Sequence, residues 1–252
     1  MLLELQKHII YGPIKSRRLG RSLGINILPF KKKICTLNCV YCQYGWTQFD
    51  AQDDLQSPPW FTIEQIFEAV RTGIMKCAPA PDFLTFSGNG EATMHPDFPV
   101  IVDGIIDLKK RIIPGTKTAI LTNSTQINDE GVRDAIQKLD YQIMKIDAGT
   151  HENFNRFNRP TTGVRFDDII EGLKSMKNII IQTMWTEGDE GNFRPDNIQP
   201  WLERIKYLSP THVQIYTLDR GYPSRHISPV SRIDLMRVRE MVLKESISAE
   251  VY

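Results

Sequence analysis

Phe83-Leu84-Thr85-Phe86-Ser87-Gly88-Asn89-Gly90-Glu91 is the stretch that decides the fold. A short, nearly unbroken apolar run reads as a strand buried on both faces. Two glycines around an asparagine then stop it, and bare backbone there can approach a ligand closely. The pattern switches next to helical spacing over Asp97 to Ile112, with Val100, Ile101, Gly104, Ile105 and Leu108 on one face. One strand, one glycine turn and one helix make a βα unit.

The same unit recurs on both sides. Strands are expected over Ser22 to Leu28, Lys117 to Asn123, Gln142 to Asp147, Asn178 to Met184 and His212 to Thr217. Helices are expected over Ile63 to Lys76 (capped by Thr62), from an Asn128 cap to Lys138, over Asp167 to Met176, from Pro195 to Leu208 and from Ser231 to Lys244. Alternation of this kind is the α/β signature, and right-handed crossovers make the strands parallel. An open doubly wound sheet competes with a curved one. A full eightfold barrel takes about 250 residues. Only six units are visible, so the expected fold is a partial (β/α)6 TIM-like barrel, a single domain over residues 1–252. In either architecture ligands gather at the carboxyl ends of the strands.

Composition agrees with a globular enzyme-sized chain. Of 252 residues, 41% are hydrophobic and 24% charged, which excludes a disordered or collagen-like polymer. Thirty-one basic against 30 acidic residues leave a net charge of +1, too little to hold nucleic acid by bulk charge. No apolar run reaches membrane-spanning length, and the N-terminus lacks the pattern of a secretory signal. A cytoplasmic protein with no membrane partner is expected.

After the first predicted strand comes the loop 30–46, which carries Cys35, Cys39 and Cys42 within eight positions; Cys77 stands apart. A disulfide framework belongs to small secreted chains, so a tight cysteine cluster here reads as a metal or redox site. Structural zinc requires four closed ligands, with Cys77 or a histidine as the fourth. Three inert buried thiols are a second reading, and clustering on a polar loop counts against it. An iron–sulfur cluster held by three thiolates would leave one iron open for a substrate or cofactor. His95, His151, His212 and His226 show no ligand spacing.

Cys35-x3-Cys39-x2-Cys42, with Tyr41 just before the third cysteine, resembles the hallmark of the radical S-adenosylmethionine (radical SAM) enzymes. The resemblance implies a [4Fe–4S] cluster on Cys35, Cys39 and Cys42, with SAM on its open iron. Reduction by a flavodoxin- or ferredoxin-like one-electron donor would cleave SAM to methionine and a 5′-deoxyadenosyl radical. That radical would then take hydrogen from a substrate. Gly88, Asn89, Gly90 and Glu91 stand where the family holds the SAM ammonium, with Asn89 a departure from its Gly-Gly-Glu pattern. The resemblance carries Tyr41, Asn123, Ser124, Gln182, Ile215 and Tyr216 over as further cofactor contacts. Lys145 and Asp147, two apart on one strand face, are the candidate catalytic pair. Inside a barrel they must be paired or ligand-bound.

The flanks Gly12-Pro13, Ser16 to Ile25, Asp147-Ala148-Gly149, Asn158-Arg159-Pro160 and Gln214 to Arg220 resemble a small group placed with the wyosine-forming tRNA-modification enzymes. No second cysteine triplet is present, so no second cluster is expected. The implied substrate is a tRNA base or an anionic small molecule, with Arg17, Arg18, Arg156 and Arg159 as candidate contacts. The run Lys31 to Lys33 reads as a solvated loop face. The alternative function is a zinc- or cluster-stabilised module that binds RNA or SAM without catalysis.

Overall fold

A computed structural model describes residues 1–47 and 60–252. Its centre is a run of six parallel strands: β2 (Gly20–Ile25), β3 (Phe83–Phe86), β4 (Lys117–Thr122), β5 (Tyr141–Lys145), β6 (Ile180–Glu187) and β7 (His212–Thr217). They lie in sequence order, so every connection turns the same way and the sheet curves without closing. This is the expected partial barrel. The outer helices are α1 (Ile63–Met75), α2 (Phe98–Ile112), α3 (Glu130–Gln137), α4 (His151–Phe157), α5 (Phe166–Lys174), α6 (Pro195–Leu208) and α7 (Arg232–Lys244).

Three strands escape the periodicity. β1 (Ile10–Ser16) pairs antiparallel with β2 and forms one edge. β9 (Ala249–Val251) adds parallel to β7 at the other edge, and the two-residue β8 (Ser228–Pro229) pairs with β6. β1 is largely exposed, so it lacks an apolar run, while β8 and β9 are too short to show one. α4 has seven residues and was likewise too short for a helical pattern.

Boundaries moved for local reasons. β2 stops at Ile25, not Leu28, because the Asn26 side chain bonds the Leu28 carbonyl at 3.0 Å. The cap of α3 is Asp129, not Asn128: its carboxylate accepts from Val132 N. Asn178 has a positive φ of 58°, which delays β6 to Ile180, and the strand runs on to Glu187. α5 opens one residue early, at Phe166, and ends at Lys174. Thr62 caps α1 as expected, in a reciprocal capping box with Gln65.

Helices and sheet share one apolar core. Phe86 and Phe98 meet at 5.8 Å, and Trp185 stands edge-on to Trp201 at 5.0 Å. The Trp201 indole N–H donates to the Ile146 carbonyl, so this deep ring loses no hydrogen bond. Burying one such aromatic contributes roughly 2 kcal/mol. Leu19 closes the amino end of the barrel against Phe83, Ala119 and Ile143. The carboxyl end stays open, where the cysteine loop lies.

Candidate functional site

The loop after β2 is tied down at two points. Ile34 N donates to the Asn89 carbonyl at 3.0 Å, and Glu91 N to the Ile34 carbonyl at 2.8 Å. At its far end Asn38 N donates to the Asn158 carbonyl and Val40 N to the Phe157 carbonyl. The loop is therefore held by the glycine turn after β3 and by the segment following α4.

Each thiol of the triplet receives one side-chain N–H. Asn123 Nδ2 reaches Cys35 Sγ at 3.5 Å, Asn158 Nδ2 reaches Cys39 Sγ at 3.4 Å, and Lys33 Nζ reaches Cys42 Sγ at 3.3 Å. Such donors stabilise thiolates and tune a cluster. Lys33 is thus no solvated lysine; it is buried, and also donates to the Gly45 carbonyl at 2.6 Å. Burial pushes the Cys35 thiol up to about 12, and burial with the nearby Asp147 charge pushes Cys39 up to about 11. Metal must displace those protons.

All the cysteines are free. Among the described residues no three Cys, His, Asp or Glu side chains are placed for a single metal ion. A cubane makes no such demand, since each thiolate binds its own iron. Cys77 sits by Arg21 and Pro79 at the amino end of the sheet, remote from the triplet. Three partly buried soft ligands with three N–H donors fit an iron–sulfur cluster.

The glycine turn is a tight cradle. Gly88 and Gly90 have φ of 135° and 138°, where only glycine is at ease. A Cβ on Gly90 would stand 1.7 Å from the Ile34 carbonyl oxygen. Both glycines line the pocket. Asn89 and Glu91 do not; their side chains are spent inside the protein. Asn89 donates to the carbonyls of Gln6 and Pro29. Glu91 accepts from Thr93, Thr122 and the Asn123 amide, the last at 2.6 Å. Burial raises its pKa, and these donors oppose the rise. Asn123 also donates to Thr36, and Ser124 turns with a φ of 67° toward the Lys145 carbonyl. Neither lines the pocket; nor does the buried Ile215.

Lys145 and Asp147 pair with each other at 3.3 Å. The fully buried Asp147 carboxylate also accepts from Tyr41 OH at 2.5 Å, Asn158 Nδ2 at 2.9 Å and Met184 N at 2.9 Å. Lys145 donates to Tyr216 OH at 2.5 Å, with Gln182 next in the chain. Burial would lower the lysine, but Asp147 and Tyr216 outweigh it and its pKa is raised. Burial, then Asp147, keeps the Tyr41 phenol well above its ordinary range. The expected catalytic pair is therefore a closed ionic network beside Tyr41, outside the lining of the large pocket.

That pocket measures about 570 Å³, within the usual range for small-molecule sites. Cys42, Tyr41, Gln182 and Tyr216 line it, together with residues sequence reasoning did not reach: Tyr11, bonded to Ser87 at 2.5 Å, and Gln6 from the N-terminal segment. Their segment carries no motif, so only the fold reveals them. Of the four arginines, Arg17 and Arg18 line the pocket. Arg159 is instead committed to Glu190 at 2.5 Å, and Arg156 bonds Asn153 on its own helix. Neither is at the pocket.

A family model described as the Radical SAM superfamily matches residues 32–188. A UPF0026 protein of Synechocystis sp. is 31% identical over 227 residues, which are 85% of this chain and 77% of that protein. A protein of Brachyspira hyodysenteriae named GTPase Obg is 26% identical over 220 residues, 86% of this chain but only 31% of its own length. In fold, a radical SAM methyltransferase from Sphaerobacter thermophilus aligns with TM-score 0.66 at 11% identity, over 92% of this chain and 65% of that one. TYW1 with a lysine-pyruvate adduct bound aligns with TM-score 0.63 at 16% identity, over 89% and 73%.

Proposed function

Because the chain belongs to the radical SAM superfamily and groups with the UPF0026 proteins, we propose that it is an enzyme initiating radical chemistry on a substrate held in the barrel mouth. The superfamily's cofactors are a [4Fe–4S] cluster and SAM. When bound and reduced by one electron, they supply methionine and a 5′-deoxyadenosyl radical, which takes a hydrogen atom from substrate to give 5′-deoxyadenosine. Cys35, Cys39 and Cys42 would hold the cluster. The backbone at Gly88 and Gly90, which lines the pocket, would receive the amino-acid end of SAM, and Asn123 and Ser124 would support that turn. Gln182 and Tyr216, which line the pocket, would border the nucleoside, and Ile215 would back them from the core.

Lys145 and Asp147 act here by positioning. Their network fixes Tyr41 and, through Asn158, the donor to Cys39. Asn89 and Glu91 brace the turn and β4. A flavodoxin- or ferredoxin-like donor supplies the electron, and free thiols with an oxygen-labile cluster suit the cytoplasm. The reading is carried by one observation: three thiols, each with its own N–H donor, on the loop that borders the pocket.

The test is anaerobic reconstitution, then dithionite and SAM, with 5′-deoxyadenosine quantified by chromatography. About four iron per chain and nucleoside release are expected. A colourless protein holding stoichiometric zinc would defeat the proposal. A brown protein that binds SAM without cleaving it would reduce it to a binding module.

A further inference from the structure

The substrate side of the pocket has its own chemistry, and it rests on the reading above only for what the substrate later meets. Lys15, Arg17, Arg18 and Arg220 line the cavity against a single carboxylate, Asp219. SAM, with its sulfonium, ammonium and carboxylate, is itself a net cation and does not call for such a wall.

Two of the four are committed. Arg17 pairs with Asp219 at 3.2 Å, and Arg220 donates to Gln43 Oε1 at 2.7 Å. Arg18 is not: among the described residues no carboxylate pairs with its guanidinium. It lies 4.5 Å over the Tyr216 ring and 5.4 Å from the Tyr252 ring. Tyr216 belongs to β7 and Tyr252 follows β9, so the side chain spans the gap between the first and last parallel strands. Aromatic faces hold a guanidinium flat and leave its N–H edge free. That fork matches the two oxygens of a carboxylate or phosphate.

We infer that the pocket takes a small anionic substrate, a carboxylate or phosphate compound, whose charged group is gripped by Arg18. Tyr216 and Tyr252 set the plane of the fork. Tyr41 and Cys42 line the same cavity, so the rest of an anchored molecule extends toward the cysteine loop.

Calorimetric titration of the anaerobically reconstituted protein tests this, with inorganic phosphate, pyrophosphate and succinate as probes. The wild type should bind at least one saturably, and the better probe says whether phosphate or carboxylate is preferred. Arg18→Gln should weaken binding by about tenfold or more. Arg18→Lys should fall between, since it keeps charge and loses the fork. Should Arg18→Gln fail to fold, phenylglyoxal labelling of the wild type, read by mass spectrometry, replaces it; the bound probe should protect Arg18. No saturable binding, or no protection, overturns the inference. So does equal binding by Arg18→Gln with a lower melting temperature, which would make Arg18 a strut across the gap. A parallel loss of SAM affinity reassigns it to the cofactor's carboxylate, and an Arg18 effect confined to tRNA binding makes the partner RNA. Titration needs no turnover, so failure here is distinct from absence of 5′-deoxyadenosine.

Discussion

Lys33 shows how a residue's neighbours overrule its type. It ends a run of three lysines, yet it is buried with its ammonium between the Gly45 carbonyl and Cys42 Sγ. Lys33→Met leaves a carbonyl without its donor and should cost roughly 1–3 kcal/mol in denaturant unfolding. It should also loosen iron retention, measured by chelator-accessible iron over time. For the thiols themselves, Cys35→Ala, Cys39→Ala or Cys42→Ala should each abolish visible absorbance after reconstitution. Cys77→Ala should keep it; iron loss there would mean the ligand set is different.

The elements around the site are held by geometry that single atoms can break. Gly90→Ala places a methyl against the Ile34 carbonyl at 1.7 Å in a backbone region hostile to side chains. A loss of roughly 3 kcal/mol or more is expected, seen as a lower unfolding midpoint before any cofactor is added. The short 3-10 turn Ala92–Met94 leads into α2 through His95. His95 Nδ1 accepts from Asp97 N at 3.1 Å, which leaves Nε2–H to donate to the Phe61 carbonyl at 3.1 Å. Burial lowers its pKa, against the opposing pull of the Phe61 bond and Asp97. The unfolded chain therefore binds this proton more readily. Stability is full above the ordinary histidine range near 6.5 and falls as pH drops through it toward the lower folded value. His95→Ala should be less stable at neutral pH and lose that component of the acid dependence, read from melting temperatures across pH 5 to about 8.

At the scale of the molecule, the sheet is a barrel that stops short. Its open edges are β1 and β9, and the β1–β2 turn reaches across to β7 and Tyr252. The contacts there are not equal in weight. Arg17 and Asp219 are both well exposed, so Arg17→Gln should change stability by less than about 1 kcal/mol in thermal melts. Among the described residues no helix is long and apolar enough to cross a membrane. The chain spans about a third of the Brachyspira protein it matches and three quarters of the Synechocystis one. The same domain thus stands within proteins of very different length.

The six parallel strands, most of the helices and the cysteine triplet were legible because periodicity and spacing are local properties. Each residue's neighbours at two or about 3.6 positions away decide strand or helix, and a triplet within eight positions must share one loop. Exposed β1, short α4 and the two-residue β8 left no such trace. The allocation of charge was beyond reach for a related reason. Apart from Lys145 and Asp147, whose spacing already put them together, Arg17 and Arg159 found carboxylates and Arg18 found two rings. Those partners come from distant strands and loops, and their distances exist only once the chain has closed around them.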